Sequence, residues 1–209
     1  MYEYSFYVVF IVLATTGTIT FIEAMRTKNP LIRHILNLET CISIVAAYFY
    51  GLFITRMEAH NLKEILHLRY LDWSITTPMM LLSLILTVIY ATGSPNLRIV
   101  QFLTVMALNY SMLLSGYLGE TETISKIPAN LLGFAFLAGT LTYIYKTFMK
   151  KYTLVGTIMF STYAVIWSLY GIVYFFEEHN KMIGYNVLDL IAKCLVGLFL
   201  WAYFVKVIV

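Results

Sequence analysis

Seven times along its 209 residues this chain passes through an apolar run, at roughly 5–25, 32–54, 66–91, 97–118, 126–148, 153–176 and 184–207. About 20 such residues cross a bilayer core of roughly 30 Å as a helix. The apolar excess is thus spread over bilayer-length runs rather than gathered in one large core. Composition agrees, with 60% hydrophobic and 12% charged residues against about 25% charged in an ordinary soluble domain. The expected fold is an all-α membrane protein, a seven-transmembrane helix bundle forming a single domain over residues 1–209.

The connections are short and hold the turn formers and charges: Lys28-Asn29-Pro30, Gly93 to Asn96, Gly119 to Lys126, Lys150-Lys151, and Glu177 to Lys181. Connections this short make consecutive helices antiparallel neighbours. Alternate connections and the C-terminus carry Arg26, Lys28, Arg33, Arg98, Lys146, Lys150, Lys151 and Lys206. The opposite side has fewer bases and most of the acids, among them Glu58, Glu64, Glu120, Glu122, Glu177 and Glu178. A basic excess marks the cytoplasmic side, so the N-terminus is expected outside and the C-terminus in the cytoplasm. Met1–Ser5 lacks the basic region of a cleaved signal. No internal repeat points to an inverted-repeat transporter. Net charge is only +3, so no nucleic-acid partner is expected, and no metal site. Cys41 and Cys194 lie in apolar runs and are expected as free thiols.

Charges inside bilayer-crossing helices are costly and mark functional sites. Those here are Glu39, Arg69, Asp72, Asp189 and Lys193. Arg69 and Asp72 are three apart and Asp189 and Lys193 four apart, which places each pair on one helix face. Thr76, four beyond Asp72, shares that face and can offer the carboxylate its hydroxyl. A desolvated lysine suits Schiff-base formation with a carbonyl compound, and the resulting cation needs a carboxylate partner. Trp73, Tyr163 and Trp167, in mid-span, fit a flat apolar ligand. The bland alternatives are helix packing for the aromatics and an ion network that only joins helices. A buried ion pair is a poor source of stability, however, which favours the active-centre reading.

The motif Arg69-Tyr70-Leu71-Asp72-Trp73 with Thr76-Thr77-Pro78, followed much later by Asp189-Leu-Ile-Ala-Lys193, resembles the third- and seventh-helix motifs of the microbial rhodopsins. The resemblance implies that Lys193 carries all-trans retinal as a Schiff base. It implies that Asp72 is the primary counterion and proton acceptor, Asp189 the second counterion, and Arg69 a neighbour toward the outside. Trp73, Tyr163 and Trp167 would line the polyene, with Thr76, Thr77, Met80, Met112 and Gly116 beside it. The sixth-helix match, Phe160-x-x-Tyr163-Ala164-x-x-Trp167, has Phe160 and Ala164 where the family commonly has Trp and Pro.

Asp72, Thr76 and Ser83 match the acceptor, neighbour and donor positions of the proton-pumping members. Asp72 argues against an anion pump. Ser83, about 16 Å along the helix from Asp72, cannot give up a proton as a carboxylic acid can. The first expectation is an outward proton pump, not an enzyme. The second is a light-gated cation channel, with Glu39, Asn37, Ser43 and Asn186 as its polar path. A third is a sensor. The short loops and the end at Val209 leave no fused signalling domain, so a sensor needs a separate transducer. The Asp-Thr-Ser set looks most like the rhodopsins of large algal viruses. The expected partners are the lipid bilayer of a plasma or internal membrane of the host cell and further copies of the chain, as a trimer or pentamer. Glu177 and Glu178, near His179, are candidates for assisting proton release on the outer side.

Overall fold

The computed structural model describes residues 2–58, 62–93 and 97–206, so Ser94–Asn96 of the Gly93 to Asn96 connection lie outside it, as does Val209. The helices are α1 (Tyr2–Arg26), α2 (Pro30–Glu58), α3 (Leu62–Thr92), α4 (Ile99–Glu120), α5 (Lys126–Phe148) and α6 (Leu154–Val173). A last span is built from α7 (Glu178–Asp189), a π-helical turn (Leu190–Leu195) and α8 (Val196–Phe204). Among the described residues seven helical spans are long and apolar enough to cross a membrane, and none is a strand.

The helices start and stop for local reasons. Asn29 accepts from the main-chain N–H groups of Leu31 and Ile32 at 3.0 and 3.3 Å, capping α2 just ahead of Pro30, which has no N–H to satisfy. Thr153 caps α6 by accepting from Gly156 at 3.2 Å. Gly93, at φ 61°, lies just beyond α3 in a left-handed conformation that costs glycine little. Pro78 stands inside α3, a placement that membrane helices tolerate.

Several spans run beyond their apolar cores. The last begins at Glu178 rather than 184, because the Glu177 carbonyl accepts from Lys181 N–H at 2.8 Å and a helical turn forms there. Lys181, expected in a connection, therefore sits in α7 and is buried. The extra turns of α2 and α3 hold an exposed ion pair, Arg56 Nε to Glu64 Oε1 at 2.7 Å.

The chain forms two compact units. One comprises the residues up to Met80 and those from Glu177 on, and the other comprises Leu81–Phe176. The boundary falls within α3, two residues after Pro78. In the first unit α1 lies along α2 and meets the three pieces of the last span. A Cβ at Gly17 would come within 3.2 Å of Ser43 Cβ, so α1 and α2 approach closely there. Phe6, Leu13, Ala46, Tyr50, Phe53, Ile65, Met182 and Cys194 form the core of this unit. In the second unit α4 packs on α5 and α5 on α6. Asn130 Nδ2 donates to the Gly171 carbonyl at 2.9 Å, and the Phe134 ring fills the space that a Cβ at Gly171 would need.

Large apolar side chains such as Ile11, Ile44, Tyr48, Leu103, Ile127, Leu131 and Val165 face outward. Exposure on that scale belongs to a surface in contact with lipid. Many span hydroxyls serve their own helices: Thr15, Thr40, Thr76, Thr77, Thr92, Thr104, Thr140 and Ser168 each donate to the carbonyl four residues back. Such bonds satisfy a hydroxyl where no water can. Cys41 is exposed and Cys194 buried, both as free thiols.

Candidate functional site

Six polar side chains from α2, α3, α7 and the π-helical turn converge inside the first unit: Tyr50, Arg69, Asp72, Asn186, Asp189 and Lys193. All are 0–1% exposed. The expected spacings place them there, since three- and four-residue intervals align Arg69 with Asp72 and Asp189 with Lys193. Lys193 lies in the π-helical turn, an element common at functional positions of otherwise regular helices.

Two cations and two carboxylates meet at the centre. Lys193 Nζ lies 2.5 Å from Asp72 Oδ2 and 3.4 Å from Asp189 Oδ1. Arg69 Nη1 lies 3.3 Å from Asp189 Oδ2. The quartet is neutral in total, which limits the penalty of holding charge away from water, while removing one member leaves a partner uncompensated.

The two carboxylates differ sharply. Asp189 accepts hydrogen bonds from Trp73, Tyr50 and Arg69 and faces Lys193 as an ion pair. Lys193 and Trp73 Nε1 (3.4 Å) reach Oδ1, and Tyr50 Oη (2.9 Å) and Arg69 (3.3 Å) reach Oδ2. Asp72 accepts from Lys193 through Oδ2, and its Oδ1 is buried with no hydrogen-bond partner among the described residues. Thr76 does not fill that place. Its hydroxyl donates at 2.8 Å to the main-chain carbonyl of Asp72 rather than to the carboxylate, because the carbonyl four residues back is the acceptor nearest to a helical threonine.

Arg69 is enclosed by aromatic rings. Its guanidinium carbon lies 4.9 Å from the centroid of Phe53, 5.5 Å from that of Phe6 and 5.7 Å from those of Tyr50 and Tyr185. Cation–π attraction and the Asp189 and Asn186 acceptors together favour one position for it. Trp73 meets Tyr185 edge to face, with centroids 5.0 Å apart. Thr77 donates to the Trp73 carbonyl at 2.7 Å, and Met80 is buried further along α3.

Glu39 is buried on α2, apart from the quartet. A Cβ at Gly197 would come within 3.2 Å of Glu39 Oε2, so the glycine makes the room the carboxyl occupies. Ser43 is buried one turn on, whereas Asn37 is exposed on another face of α2 and does not join a path with Glu39.

The remaining expected residues belong to the second unit. Ser83 is fully buried. Met112 and Gly116 are half-buried on α4, and the Gly116 carbonyl accepts from Tyr174 Oη at 3.2 Å. Tyr163 and Trp167 are buried one turn apart on α6, with centroids 5.7 Å apart, and Phe160 packs on Tyr145. Glu177 and Glu178 belong instead to the first unit and are exposed, Glu177 just ahead of α7 and Glu178 as its first residue.

Sequence reasoning missed Tyr50 and the ring cage, and it took Asn186 only for part of an ion path. The spacing held a signal for Tyr50, because Glu39, Ser43, Ala46, Tyr50, Phe53 and Met57 recur at three- and four-residue intervals and are all buried.

The family model described as "Bacteriorhodopsin-like protein" matches residues 1–207. The solved structure of the viral rhodopsin OLPVRII is 44% identical, with 100% of this chain and 99% of that chain covered and a TM-score of 0.95. Acetabularia rhodopsin I, at 22% identity, shares the fold with a TM-score of 0.82 over 99% of this chain and 94% of its own. The opsin-like protein carO of Fusarium fujikuroi is 31% identical over 160 residues, which is 68% of this chain and 49% of that protein. The chain spans about half the length of the curated relatives it matches. Family models of this kind imply retinal on a lysine, and Lys193 is a buried lysine in the last span. With seven apolar spans and a family match over nearly its full length, this chain belongs to the bacteriorhodopsin-like family of microbial rhodopsins, as an integral multi-pass membrane protein akin to the viral rhodopsins.

Proposed function

We propose that this chain is a light-driven outward proton pump in which Lys193 holds retinal and Asp72 is the proton acceptor. One observation carries the reading: Lys193 Nζ and Asp72 Oδ2 are 2.5 Å apart and hydrogen-bonded, whereas Asp189 is already engaged by Tyr50, Arg69 and Trp73. The residues present fit retinal. Nζ is buried between two carboxylates suited to a cation at that atom, Asp72 Oδ1 retains acceptor capacity, and Trp73 and Met80 offer buried apolar surface. When bound as a protonated Schiff base, retinal supplies light absorption and an isomerisation that alters the affinity of that nitrogen for its proton.

The residues of the chain do the rest. Asp72 takes the proton over a hydrogen bond already formed. Asp189, held by Arg69, Tyr50 and Trp73, is the second counter-charge. Arg69 holds the outer side of the quartet. The basic connections support an N-terminus outside and a C-terminus in the cytoplasm, so a proton leaving Asp72 toward the N-terminal end of α1 moves outward. Reprotonation of Nζ then comes from the α8 side, where Glu39 is the buried carboxyl beside Gly197. Thr77 joins Trp73 and Met80 as the first unit's share of the proposed retinal wall. The whole chain acts as one domain, with assembly as a trimer or pentamer.

A light-gated cation channel is the second reading, favoured by the burial of Glu39 and Ser43 on one face of α2. Illumination of expressing cells in unbuffered medium separates the two. A pump acidifies the medium, and a protonophore abolishes the change. A photocurrent that reverses sign with the cation gradient overturns the pump and leaves the channel.

A further inference from the structure

From Asp189 a line of hydrogen-bonded groups continues to the N-terminal end of α1. Tyr50 Oη lies 2.9 Å from Asp189 Oδ2 and 3.0 Å from Asn186 Oδ1. Asn186 Nδ2 donates to Ser5 Oγ at 2.7 Å. Ser5 is half-buried and follows the exposed Glu3 and Tyr4. Asp189, Tyr50, Asn186 and Ser5 thus connect the buried charges with the surface of the first unit.

The third member of that line has the wrong chemistry to conduct. A hydroxyl or a water passes a proton because one oxygen both accepts and donates. A primary amide accepts on its oxygen, donates from its nitrogen and has no ionisable proton. A proton arriving at Asn186 Oδ1 cannot leave from Nδ2 without converting the amide to an unstable tautomer. The same Oδ1 also accepts from Arg69 Nη2, whose guanidinium is packed among Phe6, Tyr50, Phe53 and Tyr185. Asn186 is fully buried, so one amide links Ser5 on α1, Tyr50 on α2 and Arg69 on α3.

We infer that Asn186 is a positioning residue that keeps the outward proton path closed: it holds Arg69 beside Asp189 and insulates Tyr50 from Ser5. The inference rests on the reading that Asp72 receives the proton from Nζ. A proton on Asp72 then stays there until the groups around Arg69 rearrange, and release to the outside is late.

The test uses the full chain with retinal in lipid nanodiscs, comparing wild type with Asn186→Asp, Asn186→Leu and Asn186→Gln. Acid titration of the visible band in the dark reports protonation of Asp72. The groups facing Asp72 are Lys193 from the π-helical turn, Asp189 from α7 and Arg69 from its own helix, with Tyr50 of α2 behind Asp189. A pH dye in the bulk solution reports proton release after a flash. Asn186→Asp and Asn186→Leu are expected to shift the dark midpoint by about one pH unit or more, because Arg69 is no longer held as in wild type. Asn186→Asp places an ionisable group in the line and is expected to advance release by at least about tenfold. Asn186→Gln keeps the amide and is expected to retain late release. A role confined to joining helices predicts lower thermal stability with the midpoint and release timing unmoved, and that result overturns the inference. A shifted midpoint with unchanged timing in Asn186→Asp also overturns it. Should Asn186→Leu form no pigment, the Asp and Gln variants still decide. If wild type itself forms pigment but no proton reaches the dye, the pump reading has failed, and that outcome is distinct from any difference between variants.

Discussion

The last span treats the two sides of Lys193 differently. Before it, Asn186 and Asp189 bring side chains in, and Tyr50, Arg69, Asp72 and Trp73 close around them within hydrogen-bonding reach. After it, Gly197 withholds a side chain, and Glu39 and Thr16 occupy the space. One side is filled with paired charge held by hydrogen bonds. The other is a close contact of Gly197 with the Thr16 methyl and the Glu39 carboxyl. The contrast teaches that direction can be built into a helix by what surrounds its reactive residue, a network on one face and an absence on the other. A pump and a channel make different demands on the second side.

The largest expected effect removes the divide itself. Lys193→Ala leaves Asp72 and Asp189 facing each other with one cation fewer and no amine for retinal. The visible band obtained on adding retinal to the expressed protein, and bleached by hydroxylamine, should vanish completely. A variant that forms the same pigment would show that another residue carries the cofactor.

Next comes Asp72→Asn, which breaks the networked side alone. Lys193 keeps Asp189 at 3.4 Å, so pigment should still form with a displaced band. Light-driven acidification of the medium should fall at least about a hundredfold, the scale of losing a positioned proton acceptor. Retention of acidification in Asp72→Asn would transfer the acceptor role to Asp189, despite its three hydrogen-bond donors.

Glu39→Gln examines the other side. The amide has almost the same shape, so packing against Gly197 persists and only the acid is lost. With Glu39 returning protons to Nζ, recovery after a flash should slow by about tenfold, with weaker dependence on bulk pH. With Glu39 in a conduction path, photocurrent should drop while the recovery rate holds. The two outcomes are exclusive and can be read on the same membranes.

Much of the networked side was legible in the sequence. Arg69, Asp72, Asp189 and Lys193 stand out because charge inside an apolar run is rare, and the intervals between them fix shared helix faces. Spacing does not show which groups meet across helices. Thr76 lies on the face of Asp72 and still bonds the main chain, since the local carbonyl competes better than a side chain that already faces Lys193. Asn37 and Ser43 flank Glu39 in sequence, yet only Ser43 shares its buried face. Tyr50 is one of 17 tyrosines, and only its place on the Glu39 stripe of α2 distinguishes it from those suited to membrane interfaces. The spans were found from hydropathy, while their ends were not, because helical hydrogen bonding and capping continue past the apolar stretch, as at Lys181.

The smallest expected effect comes from adding one methyl group. Gly197→Ala places a Cβ about where the structure leaves 3.1 Å to Thr16 Cγ2 and 3.2 Å to Glu39 Oε2. Either α1 yields by a few tenths of an ångström or the Glu39 carboxyl turns away. Overpacking of this kind costs about 1–3 kcal/mol, and one methyl belongs near the lower end, so the pigment should form and bleach at slightly lower temperature. The useful readout is kinetic. If the space beside Gly197 serves only packing, recovery after a flash is unchanged in Gly197→Ala. If it positions Glu39 for proton return, recovery slows in the same sense as in Glu39→Gln but less. Combining the two substitutions should then slow recovery no further than Glu39→Gln alone, because a displaced carboxyl has no added effect once the acid is gone. Additive slowing in the double variant would separate the glycine from the carboxyl and return that side of Lys193 to packing alone.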